Sequence, residues 1–71
     1  MVDFAKAGNS YRVISDSLEF FEPGDIVVAL ESDDVPYCVH KKDYHGLIST
    51  ENPYPIHKYS PLRGEELEEI E

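Results

Sequence analysis

The chain has 71 residues, of which 41% are hydrophobic, and a formal net charge of -9 at pH 7. A chain of this length forms one domain with a small core and little room for an enclosed active site. The negative charge repels phosphate backbones and therefore argues against direct nucleic-acid binding. The longest apolar run, residues 26–30, is far shorter than the about 20 residues that cross a bilayer as a helix, so we expect no membrane insertion.

Cysteine content and the first residues bear on location. The chain has one cysteine, Cys38, and therefore no internal disulfide framework. Its first ten residues, MVDFAKAGNS, lack the charged-then-apolar pattern of a signal peptide. We therefore expect a cytoplasmic protein.

The first predicted elements are a loose segment, a short strand and a turn. Residues 1–9 are predicted to be loose, with Gly8 as a breaker, although Phe4 is free to dock on a core. A strand is predicted at residues 11–14. Pro23-Gly24 predicts a type II turn, because proline fixes φ and glycine accepts a positive φ.

The clearest strand follows this turn, at residues 25–31. Alternation within it places Ile26, Val28 and Leu30 on one face, and its β-branched content predicts a second face that is only partly exposed. The polar residues 32–34 predict a tight hairpin loop that leads to a third strand at residues 36–41.

The pattern is weaker after Lys42. Two prolines confine residues 54–56 to an edge or short strand. Further candidates are one side of a pairing at residues 46–50, a 3₁₀ turn at 57–59 and a last short strand at 60–63. Residues 65–71 contain five glutamates and are too few for a stable helix, so they are predicted to be a frayed acidic tail.

The order of these elements resembles a known family. The pieces YRVIS, FFEPGDIVVALES, VPYCVHK and YPIHKYSPLRG cover most of residues 11–64 and resemble the small SH3-like barrels, in particular the short SH3-like proteins of phage and prophage genomes. The resemblance implies a barrel of four or five short strands and an accessory protein that engages a host protein in the host cytoplasm. The chain has no tryptophan, which peptide-binding SH3 domains use in their ligand groove, so PxxP binding is not implied.

Four residues offer metal-ligand or nucleophile chemistry: Cys38, His40, His45 and His57. Cys38 and His40 would share one strand face, but no second close pair completes a zinc pattern. A nucleophile pair with Asp43 would need an electropositive pocket and oxyanion donors, for which the chain has little room. We therefore predict no catalytic residue, no metal site and no cofactor.

An acidic set is predicted to come from two adjacent loops and to form one patch: Asp16, Glu19, Glu22, Glu31, Asp33 and Asp34. Complementary charge raises association rates, so such a patch suits a protein partner with a basic surface. Solvated loops without a binding role are the simpler alternative.

An aromatic set surrounds three prolines in the second half of the chain: Tyr37, Tyr44, Tyr54 and Tyr59. Tyrosine is favoured at binding surfaces because it buries a ring and keeps a polar tip. Ordinary packing within a barrel is the alternative.

The sequence thus predicts an all-β, SH3-like barrel domain at residues 10–64, a flexible segment at 1–9 and an acidic tail at 65–71. The predicted function is a non-enzymatic, monomeric protein-binding module whose acidic loops, rather than its tail, carry the partner. One alternative is a nucleic-acid mimic that blocks a DNA- or RNA-binding protein. A second alternative is a small metal-binding protein that uses Cys38 and histidines.

Overall fold

The computed structural model describes residues 2–47 and 54–70. These residues contain five short strands and three single 3₁₀ turns. The strands are β1 (Ser10–Val13), β2 (Ile26–Ala29), β3 (Tyr37–His40), β4 (Tyr59–Pro61) and β5 (Leu67–Glu69). The 3₁₀ turns are Lys41–Asp43, Ile56–Lys58 and Gly64–Glu66. None of the helical turns in these ranges has the length or apolar character to span a membrane.

The strands form one antiparallel sheet in the order β4-β3-β2-β1-β5. Tyr11 of β1 lies opposite Val27 on one side and Glu69 on the other, and Cys38 of β3 lies between Ala29 and Ser60. This arrangement is a small all-β, barrel-like fold and confirms the predicted fold class. The first three strands lie within two residues of their predicted limits.

The turn before β2 has the predicted geometry. Gly24 has a φ of 95°, and the N–H of Asp25 donates to the carbonyl of Glu22 at 3.1 Å, which is the hydrogen bond that closes a β-turn. The Asp25 carboxylate also accepts from the Glu22 N–H at 2.8 Å. The turn is joined to β1, because the Gly24 N–H donates to the carbonyl of Val13 at 2.8 Å.

The buried apolar side chains form two clusters on either side of the sheet's central strands. The larger cluster includes Val13, Val27 and Cys38 together with Leu62 and Leu67. The smaller cluster consists of Leu30, Val39 and Tyr54, with Tyr44 and Tyr59 packed against it. Neighbouring residues along β2 and β3 therefore pack into opposite clusters. The second face of β2 is more completely buried than the sequence pattern predicted.

The end of the chain forms a turn and a strand, which corrects the prediction of a frayed tail. Gly64–Glu66 make a 3₁₀ turn, and β5 then pairs with β1. Leu67 lies opposite Val13 and is completely buried. One apolar anchor and a free strand edge are thus enough to order a segment whose composition alone favours disorder.

The first residues form a strap across the molecule instead of a loose segment. Ala5 and Asp33 exchange two backbone hydrogen bonds of 3.0 and 3.1 Å, and the Val2 N–H donates to the carbonyl of Gly64 at 2.9 Å. Val2 and Ala5 are buried, whereas Phe4, the residue of this segment that was free to dock on a core, is 55% exposed. The backbone of Val2 comes so close to Gly64 that a Cβ there would overlap the Val2 carbonyl, so only glycine fits at this position.

Two regions of the chain differ from prediction. The link between β2 and β3 covers residues 30–36 rather than a tight loop at 32–34, because Asp33 is held against the N-terminal strap. Residues 54–56 form no strand, and the 3₁₀ turn and last predicted strand each begin one residue earlier than expected. Most of the candidate pairing at residues 46–50 lies outside the described residues.

Candidate functional site

An aromatic groove lies on the surface beside β3 and β4. It encloses about 440 Å³ and is lined by Phe20, Tyr37, His57, Tyr59, Ser60 and Pro61. This volume falls within the range of about 300–1,000 Å³ that is usual for ligand-binding clefts. Phe20 and Tyr37 are each 40% exposed, so aromatic ring surface is accessible in the groove.

The rings of the groove are held in place by contacts with one another. Tyr37 and Tyr59 meet edge to face, with centroids 5.4 Å apart and planes at 74°. Behind them Tyr54 contacts Tyr59 at 6.3 Å. The Tyr54 hydroxyl accepts from the backbone N–H of His45 at 2.7 Å and donates to the carbonyl of Gly46 at 2.5 Å. The edge-to-face contacts, together with the buried and hydrogen-bonded side chain of Tyr54, hold this aromatic wall in a fixed shape.

The structure therefore brings the predicted aromatic set together, but divides its members by role. Tyr37 and Tyr59 line the groove. Tyr54 is buried beneath Tyr59, and Tyr44 packs partly buried against the same cluster. Two of the four tyrosines thus line the groove, and the other two pack beneath them.

The predicted aromatic set omits Phe20, His57, Ser60 and Pro61 of the groove lining, and Phe20 is the large apolar residue among them. Its neighbour Phe21 is buried in the larger cluster, so Phe20 is directed outward. The backbone carbonyl of Phe20 accepts a hydrogen bond from Nε2 of His40 at 3.0 Å, which fixes the connection between β1 and β2 against β3. The His40 ring also packs on Phe21 with centroids 4.7 Å apart. The signal in the sequence was the Phe-Phe pair, since neighbouring residues in an extended chain point to opposite sides.

The acidic set lies on the two connections that leave β2. Asp16, Glu19 and Glu22 belong to the connection before β2, and Glu31, Asp33 and Asp34 to the connection after it. These connections start from opposite ends of the strand. One shared patch therefore stays a prediction.

Asp33 and Asp34 interact directly. A hydrogen bond between the two side chains lowers the pKa of Asp33 and raises the pKa of Asp34, and the charge of Asp33 raises the pKa of Asp34 further. The backbone N–H of Val35 also donates to Asp33 at 3.1 Å. The raised pKa means that Asp34 binds a proton more readily than an isolated aspartate does.

Glu31 lies in the connection that follows β2. Its Oε1 lies 3.4 Å from the backbone nitrogen of Tyr37. Glu31 is partly buried, and this contact holds its carboxylate near the backbone of Tyr37.

Cys38 is unsuited to metal binding or nucleophilic chemistry. It is completely buried, and its thiol lies 3.6 Å from the carbonyl of Pro36, to which it donates. Burial, with the nearby charge of Glu31, raises the pKa of Cys38 to about 12, so the thiolate that ligates metals or attacks substrates does not form at neutral pH. Within residues 2–47 and 54–70, no three side chains of His, Cys, Asp or Glu are arranged to hold a metal ion.

Comparison with protein-family models finds no match, and neither do comparisons with curated proteins and with solved structures.

Proposed function

We propose that the protein is a non-enzymatic binding module that engages a protein partner through the aromatic groove. The observation that carries this proposal is the fixed corner formed by Tyr37 and Tyr59, with Phe20 opposite and all three rings in one cleft. Aromatic residues are enriched at the buried centres of protein interfaces and account for much of their binding energy. A rigid corner loses little conformational freedom when a partner binds.

The charge of the chain indicates the kind of partner. A net charge of -9 steers molecules with a basic surface toward the module and repels acidic ones. The resemblance of the sequence to small SH3-like proteins of phages supports an accessory role in which the partner is a host protein. In this role the groove supplies affinity, and the acidic connections contribute to the association rate.

Nucleic-acid mimicry is the second candidate. The adjacent carboxylates of Asp33 and Asp34 favour it, because closely spaced negative charges imitate a phosphate backbone. A mimic binds its partner through charge, so its affinity falls steeply with added salt.

Capture of a partner by variants with matched exposed phenylalanines tests the proposal. The immobilised chain is incubated with a bacterial lysate at low and at high salt, alongside the variants Phe20→Ala and Phe4→Ala. Both side chains are exposed, but only Phe20 lines the groove. We expect Phe4→Ala to retain the partner and Phe20→Ala to lose it at both salt concentrations.

Retention of the same partner by Phe20→Ala would contradict the proposal. If that partner is also released at high salt from every variant, mimicry becomes the better account. Thermal melts of both variants show whether either has lost its fold.

A further inference from the structure

The side chain of His40 contacts both ends of the segment that carries Phe20 into the groove. His40 is the last residue of β3. Its Nε2 lies 3.0 Å from the backbone carbonyl of Phe20, and its Nδ1 lies 4.0 Å from the carboxylate of Asp25. The ring also packs on Phe21, with centroids 4.7 Å apart. One side chain of β3 thus reaches both the groove residue and the turn that precedes β2.

The contact with Phe20 determines where the neutral His40 ring carries its proton. A carbonyl oxygen only accepts, so Nε2 must carry a hydrogen for this bond to form. In the neutral ring Nδ1 is then an acceptor beside the Asp25 carboxylate, which is also an acceptor. Protonation puts a second N–H and a positive charge on the ring. His40 therefore keeps its bond to Phe20 in both states and gains an attraction to Asp25 when it is charged.

The Asp25 carboxylate is well placed to respond to this charge. Its Oδ2, the oxygen nearest to His40, also accepts from the backbone N–H of Glu22 at 2.8 Å. The carboxylate is therefore fixed within its own turn. The side chains of His40 and Asp25 are 24% and 34% exposed, so solvent screens their attraction less than that of a fully exposed pair.

Other charged groups lie on the elements around His40. They are Glu19 and Glu22 in the connection before β2, Lys41, Lys42 and Asp43 in the 3₁₀ turn that follows β3, and Lys58 before β4. Glu19, Glu22 and the first two lysines are exposed, and Lys58 has its Nζ 3.9 Å from the carboxylate of Asp43. Within residues 2–47 and 54–70, Asp25 carries the one carboxylate within 4.0 Å of the His40 ring nitrogens.

We propose that His40 is the positioning residue of the aromatic groove and that its protonation strengthens partner binding. This inference rests on the proposed function and adds its regulation. The neutral ring holds the segment at Phe20, whereas the charged ring holds it at Phe20 and at Asp25. A segment that is already fixed loses less conformational freedom when a partner binds. Histidine is the side chain that ordinarily changes charge between about pH 5 and about pH 8, so binding should be tighter at the acidic end of this range.

A pH titration of the free ¹⁵N-labelled chain tests the contacts of His40. The ring nitrogens and the backbone amides are followed from about pH 5 to about pH 8. We expect Nε2 to stay protonated throughout while Nδ1 gains its proton toward low pH. The amides of Phe21, in the same peptide unit as the Phe20 carbonyl, and of Glu22 should shift with the midpoint of the ring. A neutral ring protonated at Nδ1, or amide shifts that do not follow the ring, overturns the inference.

Variants test the effect on binding. His40→Gln keeps an N–H for the Phe20 carbonyl but cannot become charged, and Asp25→Asn keeps an acceptor for the Glu22 N–H but loses its charge. Glu22→Gln removes the same charge from the same turn and is the matched control. The immobilised chains, each holding the protein captured from the lysate, are washed at about pH 5.5 and at about pH 8.

The readout is the amount of captured protein retained at the lower pH divided by the amount retained at the higher pH. We expect this ratio to be at least about threefold larger for the parent chain and Glu22→Gln than for His40→Gln and Asp25→Asn. Titration of the captured protein itself affects all four chains alike. An unchanged ratio in His40→Gln, or a ratio that falls instead in His57→Gln, a variant of the histidine in the groove lining, overturns the inference. Thermal melts at both pH values show whether each variant is folded.

The failure of this inference differs from a failure of the proposed function. If Phe20→Ala loses the captured partner but His40→Gln keeps the ratio of the parent chain, the groove is the interface and His40 does not regulate it. If Phe20→Ala retains the partner, the proposed function itself fails, whatever the pH titration shows.

Discussion

Phe20 and Phe21 show how one position in the chain decides whether a ring joins the core or lines the groove. Phe21 is 3% exposed and belongs to the core, whereas Phe20 is 40% exposed and lines the groove. The Phe-Phe pair predicts that one ring is buried, but the choice between them depends on His40, which binds the Phe20 carbonyl from β3. Local sequence does not contain this contact, because His40 is 20 residues away.

Gly24 is the residue whose substitution tests the turn before β2. Its φ of 95° strains any residue with a Cβ, so Gly24→Ala should destabilise the fold by about 1 kcal/mol or more. Gly24→Asn should lose less, since asparagine tolerates this region better. Thermal unfolding measures both; an unchanged melting temperature for Gly24→Ala would show that the turn assignment is wrong.

The Asp33–Asp34 pair predicts a pH-dependent stability. The pKa of Asp34 is raised above its ordinary value of 3.8, so its contribution to stability is present below that value and is lost as pH rises through the raised pKa. The pKa of Asp33 is lowered, so its contribution to stability is present above its ordinary value of 3.8 and is lost as pH falls through the lowered pKa.

Asp34→Asn should therefore raise the melting temperature at neutral pH, because an amide donates to Asp33 without repelling it. The difference in melting temperature between Asp34→Asn and the parent protein should shrink toward about pH 3, where Asp34 in the parent protein is protonated. Asp16→Asn removes the same charge from another exposed connection and is the control. A rise of equal size in both variants would assign the effect to net charge rather than to the pair.

At the scale of elements, local pattern accounts for β1, β2 and β3 and for the turn between the first two. Alternating β-branched residues and Pro23-Gly24 act within a few positions, so the sequence alone locates these strands. β5 depends instead on pairing with β1, in which Arg12 lies opposite Glu68, 56 positions away. The N-terminal strap likewise depends on Asp33 and Gly64. Contacts between residues so far apart in the chain cannot be predicted from the local sequence pattern.

Leu67 should account for most of the stability that β5 adds. The ion pair between Arg12 and Glu68 joins side chains that are 46% and 38% exposed, and exposed pairs contribute about 0–1 kcal/mol. Leu67 is completely buried, and replacing a buried leucine by alanine costs about 2–5 kcal/mol.

Denaturant unfolding of Leu67→Ala and of Glu69→Ala compares a buried and an exposed residue of the same strand. We expect a loss of about 2 kcal/mol or more for Leu67→Ala and a change within about 0.5 kcal/mol for Glu69→Ala. Equally small effects would mean that residues 65–71 are a frayed tail after all.

At the scale of the whole molecule, shape and charge have separate roles in the proposed interface. The sequence predicted an acidic, all-β module with four tyrosines that either bind a partner or pack within the barrel, and the structure places two of them in one groove and two behind it. The position of the groove was not predictable, because it depends on the connection before β2 lying across β3. The negative charge is spread over several connections and acts at longer range.

Salt should therefore weaken partner binding modestly. Raising the ionic strength from about 0.1 M to about 1 M shortens the Debye length from about 10 Å to about 3 Å, which removes steering but leaves ring contacts intact. We expect the association rate to fall and the dissociation rate to change by less than about threefold. Surface-binding kinetics measures both rates, and calorimetry measures the dissociation constant, which is their ratio. A collapse of affinity by several powers of ten would favour nucleic-acid mimicry.

The most direct measurement is a map of the interface on the ¹⁵N-labelled chain during titration with the captured partner. The account predicts that the amide signals of Phe20, Tyr37, Tyr59 and Ser60 shift or broaden first, while those of β5 and of Phe4 change little. Changes confined to Glu65–Ile70, or to the connection that carries Asp33 and Asp34 with none at Tyr37 or Tyr59, would contradict the claim that the aromatic groove is the binding site.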